Sequence, residues 1–301
     1  MYINNLSPVH LTIDNYNVFS ASNVNDINVN HKWFVFSDNF GWDVTINNAH
    51  STIYENYYFY IEAKYPDAFA HWMYESSIYL YLYIKLKEIY PTLKIYTKIK
   101  RRYKDVTYRA FNIKESDISY TIENTNNIVL FPSYLTFFTT TINDNHRLYL
   151  MNFRNYLTEV DAIKKDISIL YFPRGKLENY KGNDRTILNQ DNIENLVKTY
   201  PNSYVYYTDT TTDMRDQIKL LQRANIFICD YGSNFSFNSF FCNDSNIIVL
   251  GDHDNHTKFP YGILISNIIK EKNKSLIFIS NVNNQLEFSI DKIKETIEQI
   301  L

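Results

Sequence analysis

The feature that most constrains the fold is a regular alternation of short apolar segments and helical segments in the second half of the chain. The apolar segments are continuous, which is typical of strands buried on both faces of a parallel sheet. We predict these strands at 167–174, 203–209, 225–231, 246–252 and 275–280. Helices are predicted between or after them, at 191–198, 212–223, 233–241 and 289–301. Such alternation predicts a doubly wound α/β domain, whose ligands bind at the carboxyl ends of the strands.

The first half of the chain mixes strands and helices less regularly. Alternating apolar and polar residues predict strands and hairpins at 10–20, 32–38 and 51–63. A helix is predicted over 67–90, because apolar residues recur at helical spacing until Pro91. Beyond it we predict a strand, a helix, a strand and a helix, at 93–98, 104–112, 127–133 and 143–163. Because the chain has 301 residues, two domains are expected, 1–160 and 161–301.

Charge and cysteine content narrow the class of protein. The formal net charge is −3 and no strongly basic stripe occurs, which argues against a dedicated nucleic-acid-binding protein. The two cysteines lie in apolar surroundings, so free buried thiols and a reducing compartment are expected. The first residues lack the pattern of a signal peptide, and no run of 18 apolar residues predicts a membrane span. We therefore expect a cytoplasmic location, either free or peripheral to a membrane.

One predicted strand end has the features of an anion-binding turn. The segment 230–234, Asp-Tyr-Gly-Ser-Asn, follows an apolar strand and opens a helix. Gly232 permits close approach of the backbone, and Ser233 or Asn234 can cap the helix. The N–H groups of the first helical turn favour an anion such as a diphosphate. Ordinary strand–helix turns share this pattern.

A neighbouring loop concentrates positive charge. Arg174 follows a predicted strand directly, and Lys176 and Arg185 lie in the loop beyond it. Guanidinium groups bind phosphate through paired hydrogen bonds, so the loop suits a phosphorylated ligand. A solvated loop would have the same composition.

Two further pairs of residues suit catalysis or metal binding. His71 and Glu75 lie four positions apart on a predicted helix and share a face, as a general-base pair would, although a packed core histidine fits as well. Asp252 and Asp254 follow a strand and could hold a divalent metal on a nucleoside diphosphate, or lie in a solvated loop. No Walker A, GxGxxG, HExxH, CxxC or GxSxG motif occurs. Their absence argues against P-loop NTPases, ordinary NAD enzymes, zincins and α/β-hydrolases.

Several short motifs follow one another in an order that resembles one known family. They are His71-Trp72-Met73-Tyr74-Glu75, Arg174 with Arg185-Thr186-Ile187-Leu188-Asn189, the segment Asp216–Ala224 with Gln217, and the segment Ile228–Asn238 with Phe240 beyond it. Their order and spacing over about 65–250 resemble glycosyltransferase family 61, a group found in capsular and lipopolysaccharide loci, plants and animals.

The resemblance implies a GT-B fold, in which two Rossmann-like domains face a cleft. It also implies a nucleoside-diphosphate-sugar donor, inversion at the anomeric carbon, no cofactor and usually no metal. The C-terminal domain would bind the donor, which we expect to be a UDP-sugar, and the N-terminal domain a glycan or lipid-linked glycan acceptor. The expected setting is surface-glycan biosynthesis. The last helix, 289–301, would cross back to the N-terminal domain, as C-terminal helices of the GT-B fold do.

The resemblance also suggests roles for individual residues. Glu75 or His71 would be the general base on the acceptor hydroxyl. The expected donor-binding residues are Arg174, Lys176, Arg185, Asp209, Gln217, Tyr231, Gly232, Ser233 and Asn234. Tyr231 stands where the family usually has a histidine, and a phenol can donate a hydrogen bond but cannot act as a cation or base near neutral pH.

Three other functions stay open. A catalytically degenerate GT-B protein that binds nucleotides or glycans is suggested by Tyr231. A GT-B-like polysaccharide pyruvyl transferase would add a non-sugar group to a glycan. A metal-dependent transferase of the GT-A type would use Asp252 and Asp254.

Overall fold

The computed structural model describes a large part of the chain in detail. The described residues are 11–13, 16–21, 32–36, 56–61, 69, 72–97, 99–121, 127–132, 144–158, 163–173, 187–207, 213–251, 260–282 and 286–301. The chain divides into two compact units, Met1–Tyr156 and Leu157–Leu301. The sequence places the domain boundary four residues later, between 160 and 161.

The first unit contains a seven-stranded sheet within the described residues. Its strands are β1 (Leu11–Ile13), β2 (Tyr16–Ala21), β3 (Lys32–Phe36), β4 (Asn56–Tyr60), β5 (Lys94–Tyr96), β6 (Ile118–Ser119) and β7 (Asn127–Pro132). They lie in the order β1-β2-β3-β7-β4-β5-β6. β1 pairs with β2, and β2 with β3, in antiparallel hairpins, as the alternating pattern predicts. The remaining neighbours are parallel.

The helices of the first unit differ in part from those predicted. The segment predicted as one helix over 67–90 contains a π-helical turn (Trp72–Ser76), a 3-10 turn (Ser77–Tyr79) and α1 (Leu80–Ile89). α1 ends just before Pro91, whose missing N–H group and fixed backbone torsion stop a helix. Two more helices follow, α2 (Arg102–Ala110) and α3 (Asp144–Leu157), and α3 ends six residues before the predicted end at 163.

The second unit contains a five-stranded sheet within the described residues, and all its neighbouring strands are parallel. Its strands are β8 (Ile167–Phe172), β9 (Ser203–Val205), β10 (Ala224–Asp230), β11 (Asn246–Leu250) and β12 (Ser275–Ile279). They lie in the order β12-β11-β10-β8-β9. All five were expected from their continuous apolar residues, and the three central strands are buried along most of their length. The predicted α/β class with parallel sheets is confirmed.

In the part of the second unit that the structure describes, the helices are α4 (Gln190–Lys198), α5 (Met214–Arg223), α6 (Ser233–Phe241), α7 (Pro260–Lys272) and α8 (Ile290–Ile300). Four of them agree with the predicted helices to within two residues at each end. α7 was missed, because a short apolar run cannot be assigned to strand or helix from its periodicity alone. A connection of this kind is nevertheless required, since parallel β11 and β12 can be joined only by a crossover. α8 packs against α4, and Ile293 and Ile297 join the apolar core of this unit.

The register of the sheet brings several strand ends to one edge. Phe172, the last residue of β8, pairs with Cys229 of β10, and Asp230 at the end of β10 pairs with Leu250 at the end of β11. The carboxyl ends of these central strands therefore meet where the sequence predicts ligand binding. No helix of the described residues is both long enough and apolar enough to cross a bilayer.

Candidate functional site

The turn between β10 and α6 lies at this carboxyl edge. Gly232 has φ 120° and ψ −147°, a conformation that only glycine adopts without strain. The next residue, Ser233, begins α6, and the carbonyl oxygen of Gly232 accepts hydrogen bonds from the N and Oγ atoms of Ser236, both at 3.0 Å. The first N–H groups of a helix have no partner within it, so this turn supplies backbone donors at the sheet edge.

Tyr231 is held from two sides. Its backbone N–H donates to the carbonyl of Leu250 at 2.9 Å, and its ring stacks on Phe235 with 6.4 Å between centroids. Gly251 packs directly behind it, with φ 149°, and a Cβ atom added there would overlap the Tyr231 Cβ. Tyr231 is therefore packed against a glycine that the sequence did not single out.

Three side-chain amides form a chain of hydrogen bonds beneath this turn. Gln217 Nε2 donates to Asn238 Oδ1 at 2.6 Å, and Asn238 Nδ2 donates to Asn234 Oδ1. Asn234 Nδ2 in turn donates to the carbonyl of Phe172 at 2.8 Å. The chain therefore joins α5, α6 and the end of β8. Two of its members, Gln217 and Asn234, were predicted to bind the donor, whereas Asn238 had no assigned role.

A buried carboxylate lies next to the same turn. Asp230 is 4% exposed, and the hydroxyl of Tyr171 donates to its Oδ1 at 3.5 Å. Burial, and then the negative charge of Asp230, raises the pKa of Tyr171 far above its ordinary value, so the hydroxyl stays protonated and can donate.

The Arg-x-Ile-x-Asn motif has a structural explanation in its last residues. Ile187 is 4% exposed and belongs to the apolar core of the second unit. Asn189 Nδ2 donates to the carbonyl of Phe288 at 2.7 Å, and Asn189 Oδ1 accepts from the Phe288 N–H at 3.1 Å. These bonds attach the start of α4 to the segment before α8, ninety-nine positions away in sequence. These two bonds therefore fix the backbone just before α4, four residues after Arg185.

A second polar cluster, which the sequence did not predict, follows β9. The hydroxyl of Tyr207 and the Nε2 atom of Gln190, at 2.9 Å, both donate to Glu194 Oε1. Burial alone would raise the pKa of Glu194, but the hydrogen bonds from Tyr207 and Gln190 and the charge of Lys198 lower it overall. Burial and the bond to Glu194 raise the pKa of Tyr207 to about 12. The cluster attaches the chain leaving β9 to α4.

In the first unit, the tryptophan of the His71-Trp72 pair is a core residue. Trp72 is fully buried, and its Nε1 donates to Thr107 Oγ1 at 3.2 Å. Lys104 is only 1% exposed, and its Nζ lies 5.0 Å from the centroid of the Trp72 ring. A cation over an indole face is a favourable contact, and more so where water is excluded.

The backbone of Glu75 lies in the π-helical turn that Trp72 begins. Such turns are rare, and they occur frequently at functional sites, because they add a residue to the helix and redirect a side chain. The packing of Trp72 anchors one end of this turn. The backbone at Glu75 therefore departs from the regular α-helix that the sequence predicts over 67–90.

The structure describes six of the thirteen predicted site residues. Glu75 lies in the first unit, in the π-helical turn Trp72–Ser76. Within the second unit, Gln217 and the turn from Tyr231 to Asn234 meet at the carboxyl edge of the sheet. Seven other predicted residues lie outside the described residues, namely His71, Arg174, Lys176, Arg185, Asp209, Asp252 and Asp254. Their roles stay predictions.

Comparison with known proteins identifies the family. The sequence model of the family described as Glycosyltransferase 61 matches residues 69–249, which is more than half of the chain. The match begins just before the His71-Trp72 pair and ends in β11, so it includes the turn at Gly232 and the amide chain. A search of curated proteins found no significant match. The chain therefore belongs to glycosyltransferase family 61, and the protein is a glycosyltransferase.

Proposed function

We propose that the protein transfers a sugar from a nucleoside-diphosphate sugar, with UDP as the expected nucleotide, to a hydroxyl group of a glycan acceptor. The transfer would invert the anomeric carbon, and no divalent metal would be needed. The observation that carries the proposal is the Gly232 turn, which opens a helix at the carboxyl edge of a parallel sheet. In the proposed GT-B arrangement the second unit binds the donor and the first unit the acceptor.

The register of the sheet supports the donor site. β8 ends at Phe172, beside Cys229 of β10, so the chain leaves β8 at the same edge as the Gly232 turn. Arg174 is only two residues further on, and Lys176 and Arg185 follow in the same loop. Positive side chains from this loop and the N–H groups at the start of α6 would bind the diphosphate together.

The proposed chemistry needs a base for the acceptor and stabilisation of the departing diphosphate. Glu75 or His71 would take the proton of the attacking hydroxyl, which is the task of a general base. Arg174, Arg185 and the start of α6 would stabilise the charge that develops on the leaving group. Because these donors are positioned before the reaction, little reorganisation would be needed during it.

Tyr231 would replace the family's histidine as a neutral hydrogen-bond donor. Its backbone bond to Leu250 and its contact with Gly251 hold its Cα and Cβ atoms in place. A phenol in this position could bind the donor but would not carry positive charge. Loss of that charge also suits a protein that binds the donor without transferring the sugar, which keeps the degenerate binder as the second candidate.

Release of nucleoside diphosphate tests the proposal. The purified protein is incubated with a panel of nucleoside-diphosphate sugars, with and without EDTA, and the released nucleoside diphosphate is measured. We expect release that survives EDTA. Release that EDTA abolishes would favour metal-dependent transfer through Asp252 and Asp254, and binding without release would favour the degenerate binder. A protein that binds no nucleotide of the panel would contradict the donor site.

Two alanine variants test the location of the donor site. Arg174→Ala should slow nucleotide release by about 10²–10³-fold, as the loss of one well-placed donor does. Lys274→Ala is the matched control, since Lys274 is exposed and precedes β12, at the amino end of the same sheet. We expect no change in the control. Equal rates in both variants would remove Arg174 from the site.

A further inference from the structure

We propose that Asn238 is a positioning residue for the donor site, as the central member of a one-directional chain of amides that attaches the start of α6 to the end of β8. The inference rests on the proposed function, because it concerns the same donor site. It assigns Gln217 and Asn234 to this chain as well, so that they act by holding the site together.

The direction of every hydrogen bond in the chain follows from its last acceptor. The carbonyl of Phe172 can only accept, so Asn234 must present its Nδ2 atom to it and its Oδ1 atom to Asn238. Asn238 must then donate through Nδ2, which leaves its Oδ1 atom to accept from Gln217 Nε2 at 2.6 Å. No member can turn its amide over without placing two donors or two acceptors face to face.

Burial makes the loss of a hydrogen bond in this amide chain costly. Asn238 is 3% exposed, so water cannot replace a lost partner at this position. Buried polar groups are nearly always paired, and a partly satisfied network is costly. The chain therefore holds its three elements in one arrangement.

The chain connects the two parts of the proposed diphosphate site. Asn234 is the second residue of α6, whose N–H groups form one part. Phe172 lies two residues before Arg174, which belongs to the other part. A displacement between the two parts would separate groups that must bind the same diphosphate, and misplacement by about 1 Å can cost about 100-fold in rate.

Asn238→Asp is the sharpest test, because it changes a single NH₂ group to an oxygen of nearly the same size. At neutral pH the carboxylate would face the Oδ1 atom of Asn234 without a proton to donate. We expect the variant's kcat/KM for nucleotide release from a UDP-sugar to fall by about 100-fold relative to the wild type. Protonation would restore an O–H donor, so the deficit should shrink as the pH falls over about 8 to 5, since burial raises the pKa of a carboxyl group.

The ratio of variant to wild type isolates position 238, because both proteins share their other titratable groups. Among the described residues of α6 none is acidic or basic. Titratable groups on the elements packed against α6 include Cys229 and Asp230 of β10, Arg215, Asp216, Lys219 and Arg223 of α5, and Lys270, Glu271 and Lys272 of α7. Cys242, which follows α6, contacts the Asn238 carbonyl through its Sγ atom at 3.6 Å.

Asn243→Asp is the matched control, since Asn243 is exposed and follows the far end of α6. It adds the same charge and should change neither the rate nor its pH profile. Gln217→Glu, at the outer and half-buried end of the chain, is the second variant if Asn238→Asp fails to fold. It should show the same recovery at low pH with a smaller deficit, because the bonds from Asn238 to Asn234 and from Asn234 to Phe172 both stay intact.

The outcomes separate the two proposals. A wild-type protein that binds no nucleotide overturns the proposed function, and the role of Asn238 in a donor site with it. A wild-type protein that releases nucleotide, with an Asn238→Asp variant of equal kcat/KM, overturns only the positioning role. A deficit that is the same at every pH also overturns it, because general damage to the fold does not depend on protonation of residue 238.

Discussion

Gly251→Ala is expected to destabilise the second unit strongly, because the added methyl group has no room. The new Cβ would lie closer than 3.0 Å to the Tyr231 Cβ, a separation that real Cβ atoms essentially never show, and 3.1 Å from Cγ. Tyr231 cannot move away by rotating its side chain, because its Cβ is attached to a backbone held by the bond to Leu250. The backbone of one of the two strand ends must therefore shift.

Two energetic terms set the expected magnitude. Overpacking a well-packed interior costs about 1–3 kcal/mol. A residue other than glycine at φ 149° adds backbone strain of about 1–3 kcal/mol. We therefore expect a loss of about 4 kcal/mol in the free energy of unfolding, which corresponds to a decrease of about 13 °C in Tm for a unit of this size.

Urea and thermal unfolding measure this loss, and a double variant identifies its cause. Tyr231→Gly removes the Cβ atom that the new methyl group would overlap. In that background Gly251→Ala should cost only the strain of about 1–3 kcal/mol. Gly262→Ala, in the helical backbone of α7, is the control and should gain about 0.5–1 kcal/mol. If Gly251→Ala costs the same with and without Tyr231, or costs less than 0.5 kcal/mol, the steric reasoning is refuted.

Three further expectations follow from contacts within the second unit. Asn189→Ala removes both hydrogen bonds to the backbone of Phe288 and should lower the free energy of unfolding by about 1–3 kcal/mol. Unfolding in urea measures this loss, and an unchanged midpoint of the urea transition would contradict the role of this side chain. The hydrogen bonds from Arg223 hold the pKa of Asp166 below its ordinary value. The ion pair therefore stabilises the fold fully when the pH is above the ordinary pKa of an aspartate. This stabilisation is lost as the pH falls through the lowered pKa. Asp166→Asn should therefore lower Tm at pH 7, and the difference should shrink as the pH falls below the ordinary range of an aspartate; a difference that stays constant in acid would exclude the ion pair as its cause. Both cysteines are buried, and burial raises the pKa of the Cys229 thiol. A thiol reagent such as DTNB should therefore react slowly with the native protein and with both cysteines after unfolding. Fast reaction before unfolding would contradict the burial.

Local patterns in the sequence carry most of the information about the second unit. Continuous apolar strands predict a parallel sheet, because both faces of such a sheet are covered by helices. Gly232 marks the turn after β10, since only glycine takes its backbone conformation without strain. The predicted meeting of strand ends at one edge follows from parallel pairing alone, so the sequence was enough to place Tyr231, Gly232 and Asn234 at that edge.

Other features depend on residues that are distant in sequence, and only the tertiary structure decided them. Asn234 binds the carbonyl of Phe172 across 62 positions, and Asn189 binds Phe288 across 99. The role of Gly251 depends on a side chain of the neighbouring strand end. An amide or a glycine has the same local preferences wherever it occurs, so nothing in its own sequence neighbourhood indicates which distant group it will meet. The sequence by itself determined the alternation of strands and helices and the turn that opens α6, because periodicity and backbone torsions are local properties. The amide chain and the contact between Tyr231 and Gly251 were decided by packing, which brings together atoms that are far apart in the sequence.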